Sequence, residues 1–209
     1  MKVSASFLSC KKVLPTITKL SCTDTDYIHV DYIDGKFVKG RKMPFRVLKK
    51  ISKLSTKRLD IHLMTDKLSK YIKKFATLNC EYITFHIEAT KNPEKYINLI
   101  HNYGIKCGVA INPDTDISVI EPYFDMVDLI LVMSVVPGKG GQEFIKSTVK
   151  KVEKIKSLLI TSKLNVIVSV DGGINDTTIK KIKSNIDMAV AGSFITNSDN
   201  YQEQINKLR

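Results

Sequence analysis

An imidazole and a carboxylate, His29 and Asp31, lie two residues apart in segment 28–35, among β-branched and aromatic residues. In a β-strand, alternate residues share one face, so both side chains would point the same way. If that face lines a closed barrel, burying the pair is costly unless it binds something, and a metal ion is the natural ligand. The alternative for an isolated His-x-Asp pair is a core histidine with satisfied hydrogen bonds beside a surface carboxylate.

Eight apolar, strand-like runs lie along the chain, and the fold that they form would have to position this pair. Segments with helical spacing lie between them, with apolar stripes at 68–78 and 145–159. This alternation implies parallel strands joined by right-handed crossovers, and eight such units predict a single-domain α/β fold, a (β/α)8 TIM barrel over residues 1–209. An open, doubly wound sheet is the competitor, but it requires a glycine-rich turn after the first strand, and segment 9–12 has none. The predicted strands are 3–8, 27–32, 58–63, 82–87, 106–111, 129–135, 165–170 and 188–191.

The barrel predicts where the chemistry should lie, because TIM barrels place it at the C-terminal ends of their strands. His29 and Asp31 lie at the end of the second predicted strand. His62 lies at the end of the third and Asp171 at the end of the seventh, so all four residues should meet at one rim. Two imidazoles and two carboxylates form a mixed N/O set that suits a divalent metal such as Zn²⁺, Fe²⁺, Mn²⁺ or Co²⁺, with positions left open for a substrate.

Three glycine groups follow the last three predicted strands, at 137–142, 172–173 and 192–193. Each group exposes backbone N–H donors without a side chain in the way. In TIM barrels, the loops after strands seven and eight often bind phosphate through such donors and a helix N-terminus. A single glycine-rich loop is usually only a flexible turn, but three at one rim predict a phosphate site.

Composition limits the classes of protein that remain. The 209 residues are 43% hydrophobic and 26% charged, as in an ordinary globular chain with a large core. The four cysteines are widely and irregularly spaced, which predicts reduced thiols in the cytoplasm and argues against a zinc knuckle or a disulfide framework. No run approaches the roughly 18 apolar residues of a membrane span, and the apolar run at the N-terminus is too short for a signal peptide. We therefore expect no membrane partner.

The net charge of +12 raises the question of nucleic acid binding. Lysines recur on the polar sides of amphipathic segments and do not form one block with interleaved aromatic residues. A solvated basic surface is therefore expected, with no specific nucleic acid partner. Such a surface would still attract an anionic metabolite over a distance that salt shortens.

Eight short motifs follow one another along almost the whole chain: SFLS at 6–9, HVDYIDGKFV at 29–38, HLM at 62–64, TFHIEAT at 84–90, AINPDT at 110–115, VMSVVPGKGGQEF at 132–144, DGGI at 171–174 and VAGS at 190–193. As an ordered set they resemble the ribulose-phosphate 3-epimerase family, whose members are metal-dependent barrels of the pentose phosphate pathway. The sequence departs from the family pattern at positions that are neither implied ligands nor implied bases: Ile33, Lys36, Lys39, Val136 and Lys139.

The resemblance implies an isomerase that interconverts D-ribulose 5-phosphate and D-xylulose 5-phosphate, a phosphorylated ketose being its substrate. It makes one divalent metal ion (Zn, Fe(II), Mn or Co) the cofactor and His29, Asp31, His62 and Asp171 its ligands. Asp31 and Asp171 would also be the catalytic acid and base. A cytoplasmic homo-oligomer is expected. The implied substrate contacts are Ser6, His62, Met64, Met133, Gly138, Gly140, Gly141, Gln142, Gly172, Gly173, Gly192 and Ser193.

These residue types suit the reaction on physical grounds. A proton next to a ketone is a very weak acid, so its removal near neutral pH requires a cation that stabilises the enediolate. Because the planar intermediate is reprotonated from the opposite side, inversion needs a carboxylate on each face. Asp31 and Asp171 come from strands that lie well apart in a barrel, so we expect them to meet that requirement.

Three alternatives stay open at this point. The first is an epimerase with the same fold and site that acts on a hexulose phosphate such as allulose 6-phosphate. The second is the decarboxylase and aldolase branch of phosphate-binding barrels, whose Asp-x-Lys-x-x-Asp motif would fall at 34–39, where this chain has lysine in the last place. The third is a non-catalytic basic barrel that binds nucleic acid. A DNA affinity that falls steeply with salt, in a protein without bound metal, would indicate this alternative.

Overall fold

The computed structural model describes residues 1–40 and 42–209, and eight parallel strands within them close into a barrel. Each strand pairs with its neighbour in sequence, and the last strand pairs with the first. The predicted TIM barrel is therefore confirmed. The strands are β1 (Lys2–Ser6), β2 (Tyr27–Ile33), β3 (Leu59–Met64), β4 (Cys80–His86), β5 (Lys106–Ile111), β6 (Leu129–Met133), β7 (Ile167–Asp171) and β8 (Met188–Ala191).

Helices cover the outside of the barrel, and several crossovers are shortened. Between β5 and β6, and again between β7 and β8, the described chain forms only 3-10 turns. Such shortening allows eight units to fit into 209 residues. The α-helices are α1 (Val13–Ser21), α2 (Phe45–Leu54), α3 (Leu68–Phe75), α4 (Pro93–His101), α5 (Thr148–Thr161), α6 (Ser193–Thr196) and α7 (Tyr201–Leu208).

Local sequence explains where α4 begins. Pro93 is its first residue, where the missing backbone N–H costs nothing. The Asn92 side chain accepts a hydrogen bond from the backbone N–H of Lys95 and so satisfies one of the unpaired donors of the first turn. Pro44 lies just before the first residue of α2, at the N-cap position.

The strands divide their side chains between two apolar layers. One set of alternate positions, including Val30, Ile61 and Val170, packs against the helices in a large buried core. The other set points into the barrel, where a smaller apolar cluster that includes Tyr27 and Leu131 fills the interior. Polar side chains replace apolar ones at the C-terminal end of this interior, and the strand period of two determines which residues reach it.

The strand predictions differ from the structure mainly at their ends. The first and sixth strands end two residues earlier than predicted, and the seventh begins two residues later, at Ile167. The apolar stripes at 68–78 and 145–159 extend beyond α3 and α5, because their terminal residues pack against the core from the flanking turns. No helix in the described ranges is both long and apolar enough to cross a membrane.

Candidate active site and metal centre

Four side chains from β2, β3 and β7 converge on one point at the C-terminal rim. Each offers one ligand atom, and these atoms all lie within 4.8 Å of one another. His29 Nε2 is 3.3 Å from an Asp31 oxygen and 3.8 Å from an Asp171 oxygen. His62 Nδ1 lies 3.2 and 3.8 Å from the same two oxygens. We call this set the ligand cluster: His29, Asp31, His62 and Asp171.

The His29 ring tests whether the ligand cluster fits a metal ion. Its Nδ1 lies 2.8 Å from Asp60 Oδ2, and since a carboxylate only accepts, Nδ1 carries the hydrogen. His29 is 1% exposed, and its Nε2 atom has no hydrogen-bond partner among the described residues. A buried polar atom without a partner is unfavourable. Two imidazole nitrogens and two carboxylates facing one point are a donor set for a divalent first-row metal, so the residues fit such an ion.

The two carboxyl groups of the ligand cluster have pKa values that are shifted in opposite directions. Burial raises the pKa of Asp31, but the nearby positive charge of the His29 ring outweighs it and holds that pKa below its ordinary range. Burial and the nearby negative charge of Asp31 raise the pKa of Asp171 to about 7. In the metal-free protein near neutral pH, Asp31 is therefore ionised, while Asp171 exchanges a proton with the solvent.

Asp60 lies behind His29, and it was not identified from the sequence. Its Oδ2 atom contacts His29 Nδ1 and accepts a hydrogen bond from Ser4 Oγ, both at 2.8 Å. Burial lowers the pKa of His29, but the charges of Asp31 and Asp60 raise it well above 6.5. Asp60 lies two residues before His62 on one strand face, so the same spacing that pointed to His29 and Asp31 also marks this carboxylate.

His86 and Glu88 lie behind His62, and the sequence indicates no role for either residue. His86 Nε2 is 2.8 Å from His62 Nε2, and His86 Nδ1 is 3.2 Å from Glu88 Oε2. Burial lowers the pKa of His86 to about 4, so its ring is neutral near pH 7. Burial raises the pKa of Glu88, but hydrogen bonds from His86, Thr115 and the backbone of Asn112 outweigh it and lower the pKa to about 2.

The predicted substrate contacts line a cleft beside the ligand cluster, with the exception of His62, which is fully buried beneath it. Asp31 and Asp171 form part of the cleft wall. Ser6 donates a hydrogen bond from its Oγ to Asp31 Oδ2 at 2.9 Å and so holds that carboxylate in place. The structure thus brings together these cleft residues: Ser6, Met64, Met133, Gly138, Gly140, Gly141, Gln142, Gly172, Gly173, Gly192 and Ser193.

Close approach of backbone requires glycine at several of these positions. Gly172 has a φ of +119°, and an added Cβ would overlap the side chain of Val135. A Cβ on Gly173, where φ is +62°, would lie 2.6 Å from the backbone nitrogen of Phe144. The two glycines after β7 therefore allow their loop to pack closely against the loop after β6 at the rim of the cleft.

The Gln142 side chain has a structural role in the glycine loop after β6. Its Nε2 donates to the backbone oxygens of Val136 and Lys139, both at 2.6 Å. These bonds close the loop on itself and fix its backbone conformation. Gln142 therefore acts on the predicted phosphate site through the loop conformation.

Two of the five departures from the family pattern lie beside the cleft. Lys39 and Lys139 line a groove between the loops after β2 and β6. The two loops touch through their backbones, since a Cβ on Gly138 would lie 2.5 Å from the Lys39 oxygen. Val136 is 63% exposed. None of these three side chains belongs to the ligand cluster.

Comparison with known proteins agrees with this geometry. The profile described as the Ribulose-phosphate 3 epimerase family matches residues 2–196. The chain belongs to this family. A ribulose-phosphate 3-epimerase of Buchnera aphidicola subsp. Baizongia pistaciae is 42% identical over 189 residues, which cover 88% of this chain and 83% of that protein. The ribulose-phosphate 3-epimerases of Methanocaldococcus jannaschii and Helicobacter pylori strain J99 are 36% and 34% identical to this chain. These matches cover the whole of this chain and 90% and 97% of the two relatives.

Family membership makes the chain an enzyme of the epimerase class and supports epimerisation of a pentose phosphate. It thus favours an enzyme over the nucleic acid-binding alternative. Solved structures with similar coordinates include the tryptophan synthase of Mycobacterium tuberculosis, with a TM-score of 0.73, 9% identity and coverage of 99% of this chain and 90% of that one. A mutant tryptophan synthase α-subunit from Pyrococcus furiosus has a TM-score of 0.72, 12% identity and coverage of 99% and 96%. At these identities the likeness concerns the barrel alone.

Proposed function

We propose that residues 1–209 form one catalytic domain that interconverts D-ribulose 5-phosphate and D-xylulose 5-phosphate by proton transfer between two carboxyl groups. The observation that carries the proposal is the ligand cluster, in which Asp31 and Asp171 face one point beside a cleft lined by glycine loops. Family membership supports the substrate class.

Asp31 and Asp171 are the proposed acid and base. They come from β2 and β7, and β8 and β1 lie between these strands, so the two carboxyl groups approach the cluster from different sides. One removes the proton at C3 of the sugar, and the other delivers a proton to the opposite face; the roles exchange in the reverse reaction. The low pKa of Asp31 and the raised pKa of Asp171 give the metal-free site one base and one acid near neutral pH.

A divalent cation bound by the ligand cluster would supply the positive charge that makes the C3 proton acidic. Zn, Fe(II), Mn and Co all suit two nitrogens and two carboxylates, and we propose one such ion per chain. Ser6 orients Asp31 by its hydrogen bond. Met64 and Met133 are nearly fully buried at the ends of β3 and β6, and they offer apolar surface on the cleft wall that excludes water from the reacting carbons.

The glycine loops after β6, β7 and β8 are the proposed phosphate site. Gly138, Gly172 and Gly173 have positive φ angles and line the cleft, so no side chain of theirs stands between their backbones and a bound anion. Phosphate bound there would hold the sugar so that its C3 lies beside the two carboxyl groups, and the binding energy would assist catalysis at a distance. The formation of a homo-oligomer and the cytoplasmic location stay predictions.

Metal removal and reloading test the proposed function. We expect chelated protein to lose epimerisation of ribulose 5-phosphate and to recover it with one of Zn, Fe(II), Mn or Co. His62→Ala should lose the metal, since the site has no surplus ligand. His101→Ala is the matched control, because His101 also pairs with a carboxylate, Asp128, but lies on α4 outside the cleft.

Two comparison substrates sharpen this test. Unphosphorylated ribulose should be a very poor substrate if the glycine loops bind phosphate, and comparable efficiency with the free sugar would contradict that assignment. Higher efficiency with allulose 6-phosphate than with ribulose 5-phosphate would replace the pentulose by a hexulose phosphate as the substrate. Full activity in metal-free protein would refute the proposed metal.

A further inference from the structure

The two histidines of the ligand cluster differ in the nitrogen that faces it. His29 presents Nε2 and His62 presents Nδ1. A neutral imidazole carries its hydrogen on only one nitrogen, and a metal ligand needs the lone pair on the nitrogen that faces the ion. For His62, the hydrogen must therefore lie on Nε2, the atom that faces His86.

Glu88 determines the direction of hydrogen bonding in this chain of groups. Its pKa of about 2 keeps it ionised near neutral pH, so it only accepts hydrogen bonds. His86 Nδ1, 3.2 Å from Glu88 Oε2, must then carry the hydrogen of that ring. Two ring nitrogens 2.8 Å apart share one hydrogen, so with the hydrogen of His62 on Nε2, His86 Nε2 presents its lone pair and accepts the hydrogen bond.

We propose that His86 and Glu88 are positioning residues that hold His62 in the tautomer whose Nδ1 lone pair binds the metal. This inference rests on the proposed metal site and adds to it a buried relay in which His62 donates to His86 and His86 donates to Glu88. His62 and His86 are both fully buried, so water does not compete for the bond between them.

Glu88 is itself held by fixed donors on the next loop. Its Oε1 accepts hydrogen bonds from the backbone N–H of Asn112 at 2.8 Å and from Thr115 Oγ at 2.5 Å. Lys151 Nζ in turn donates to the backbone oxygens of Asn112 and Thr115 and so ties this loop to α5. The carboxylate therefore has one oxygen committed to the loop and the other to His86.

This arrangement makes Glu88→Gln a sharp perturbation of nearly equal volume. The amide oxygen must occupy the Oε1 position, because the backbone N–H of Asn112 can only donate. The amide NH2 then faces His86 Nδ1 and donates to it. The relay reverses: His86 now donates from Nε2 to His62, and the His62 hydrogen moves to Nδ1, the atom that should bind the metal.

The test uses purified full-length protein with zinc alone as the probe. We expect Glu88→Gln to weaken zinc binding about 10-fold or more in competition with a chelator, the usual effect of losing a residue that orients a metal ligand. Glu81→Gln is the matched control, because Glu81 is a partly buried carboxylate on β4, the strand that precedes Glu88, and it pairs with Arg58 and Lys106 away from the ligand cluster. It should bind zinc as the unchanged protein does.

Nitrogen-15 NMR of the histidine rings provides a measurement that does not depend on a variant. In the zinc-loaded unchanged protein, we expect the hydrogen on Nε2 of His62 and on Nδ1 of His86. A hydrogen on Nε2 of His86, or zinc affinity of Glu88→Gln within twofold of the unchanged protein, would overturn the proposal. Neither measurement involves a sugar, so failure of the relay is distinct from failure of the epimerase, which is measured on the unchanged enzyme.

Discussion

Replacement of Asp60 by Asn tests how the protein prepares His29 for a metal. The carboxylate accepts hydrogen bonds from His29 and Ser4 at one oxygen, and its side chain is 3% exposed. Asn keeps the shape and offers an amide oxygen to both donors, but it removes the negative charge. The perturbation therefore isolates the charge of the group behind His29.

The expected magnitude follows from the type of hydrogen bond that is lost. Metal binding makes the His29 N–H a stronger donor, and a charged acceptor gains more from this than a neutral one; from contributions of about 1.5–3 and about 0.5–1.5 kcal/mol, the metal-bound state should lose roughly 1.5 kcal/mol relative to the metal-free protein. That free energy corresponds to about a tenfold weaker zinc affinity. The usual effect of removing such a partner of a metal-binding histidine, about 10- to 100-fold, includes this value.

The pH of the measurement affects the size of this effect. In the metal-free protein, the charge of Asp60 also raises the pKa of His29, so protons compete with the metal more strongly there than in Asp60→Asn. The loss of zinc affinity should therefore be largest at pH 8 and smaller at pH 6. Chelator competition at both pH values measures it.

Ser4→Ala provides the control for Asp60→Asn. It removes one hydrogen bond to the carboxylate but keeps the negative charge behind His29, so we expect less than about a threefold change in zinc affinity. Zinc affinity of Asp60→Asn within twofold of the unchanged protein at pH 8 would refute the reasoning. Equal losses in Asp60→Asn and Ser4→Ala would refute it as well.

Two further predictions concern protons and glycines. Because the pKa of Asp171 is about 7, zinc binding should release about 0.8 more protons from this group at pH 6 than at pH 8. Calorimetry in buffers of different ionisation enthalpy measures the number of protons released. Equal numbers at the two pH values would contradict the raised pKa of Asp171. Gly172→Ala should lower the free energy of unfolding by about 3 kcal/mol because of a positive φ and overlap with Val135. Gly141→Ala, with a positive φ but open space, should cost only about 1 kcal/mol in the same urea titration, and equal costs would exclude overlap as the cause.

Strand periodicity predicts most of the ligand cluster from the sequence. His29 and Asp31 share a strand face, and the rule that barrel chemistry lies at the C-terminal rim brings His62 and Asp171 to the same place. These inferences need only the strand order, which the alternation of apolar runs supplies. Strand ends are harder to predict, because apolar residues continue into the flanking turns, as at Phe7, which is buried although it lies beyond β1.

The groups behind the histidines differ in how far the sequence reveals them. Asp60 has the same two-residue spacing to His62 that links His29 and Asp31, so periodicity alone could identify it. Glu88 lies in a 3-10 turn after β4, where no regular period fixes the direction of a side chain. Its contact with His86 depends on the loop after β5, which comes close only in the folded barrel.

The two-carboxylate reaction is the central claim, and hydrogen exchange in deuterated water tests it most directly. Metal-loaded Asp31→Asn and Asp171→Asn should each form little product, yet each should exchange the C3 hydrogen of one epimer, because the remaining carboxylate still removes and returns a proton on its own side. Asn retains an oxygen ligand and a similar size, so metal content is measured first. We predict that the two variants label opposite epimers. Label in the same epimer from both variants, or epimerisation at the normal rate by either, would contradict the two-carboxylate account.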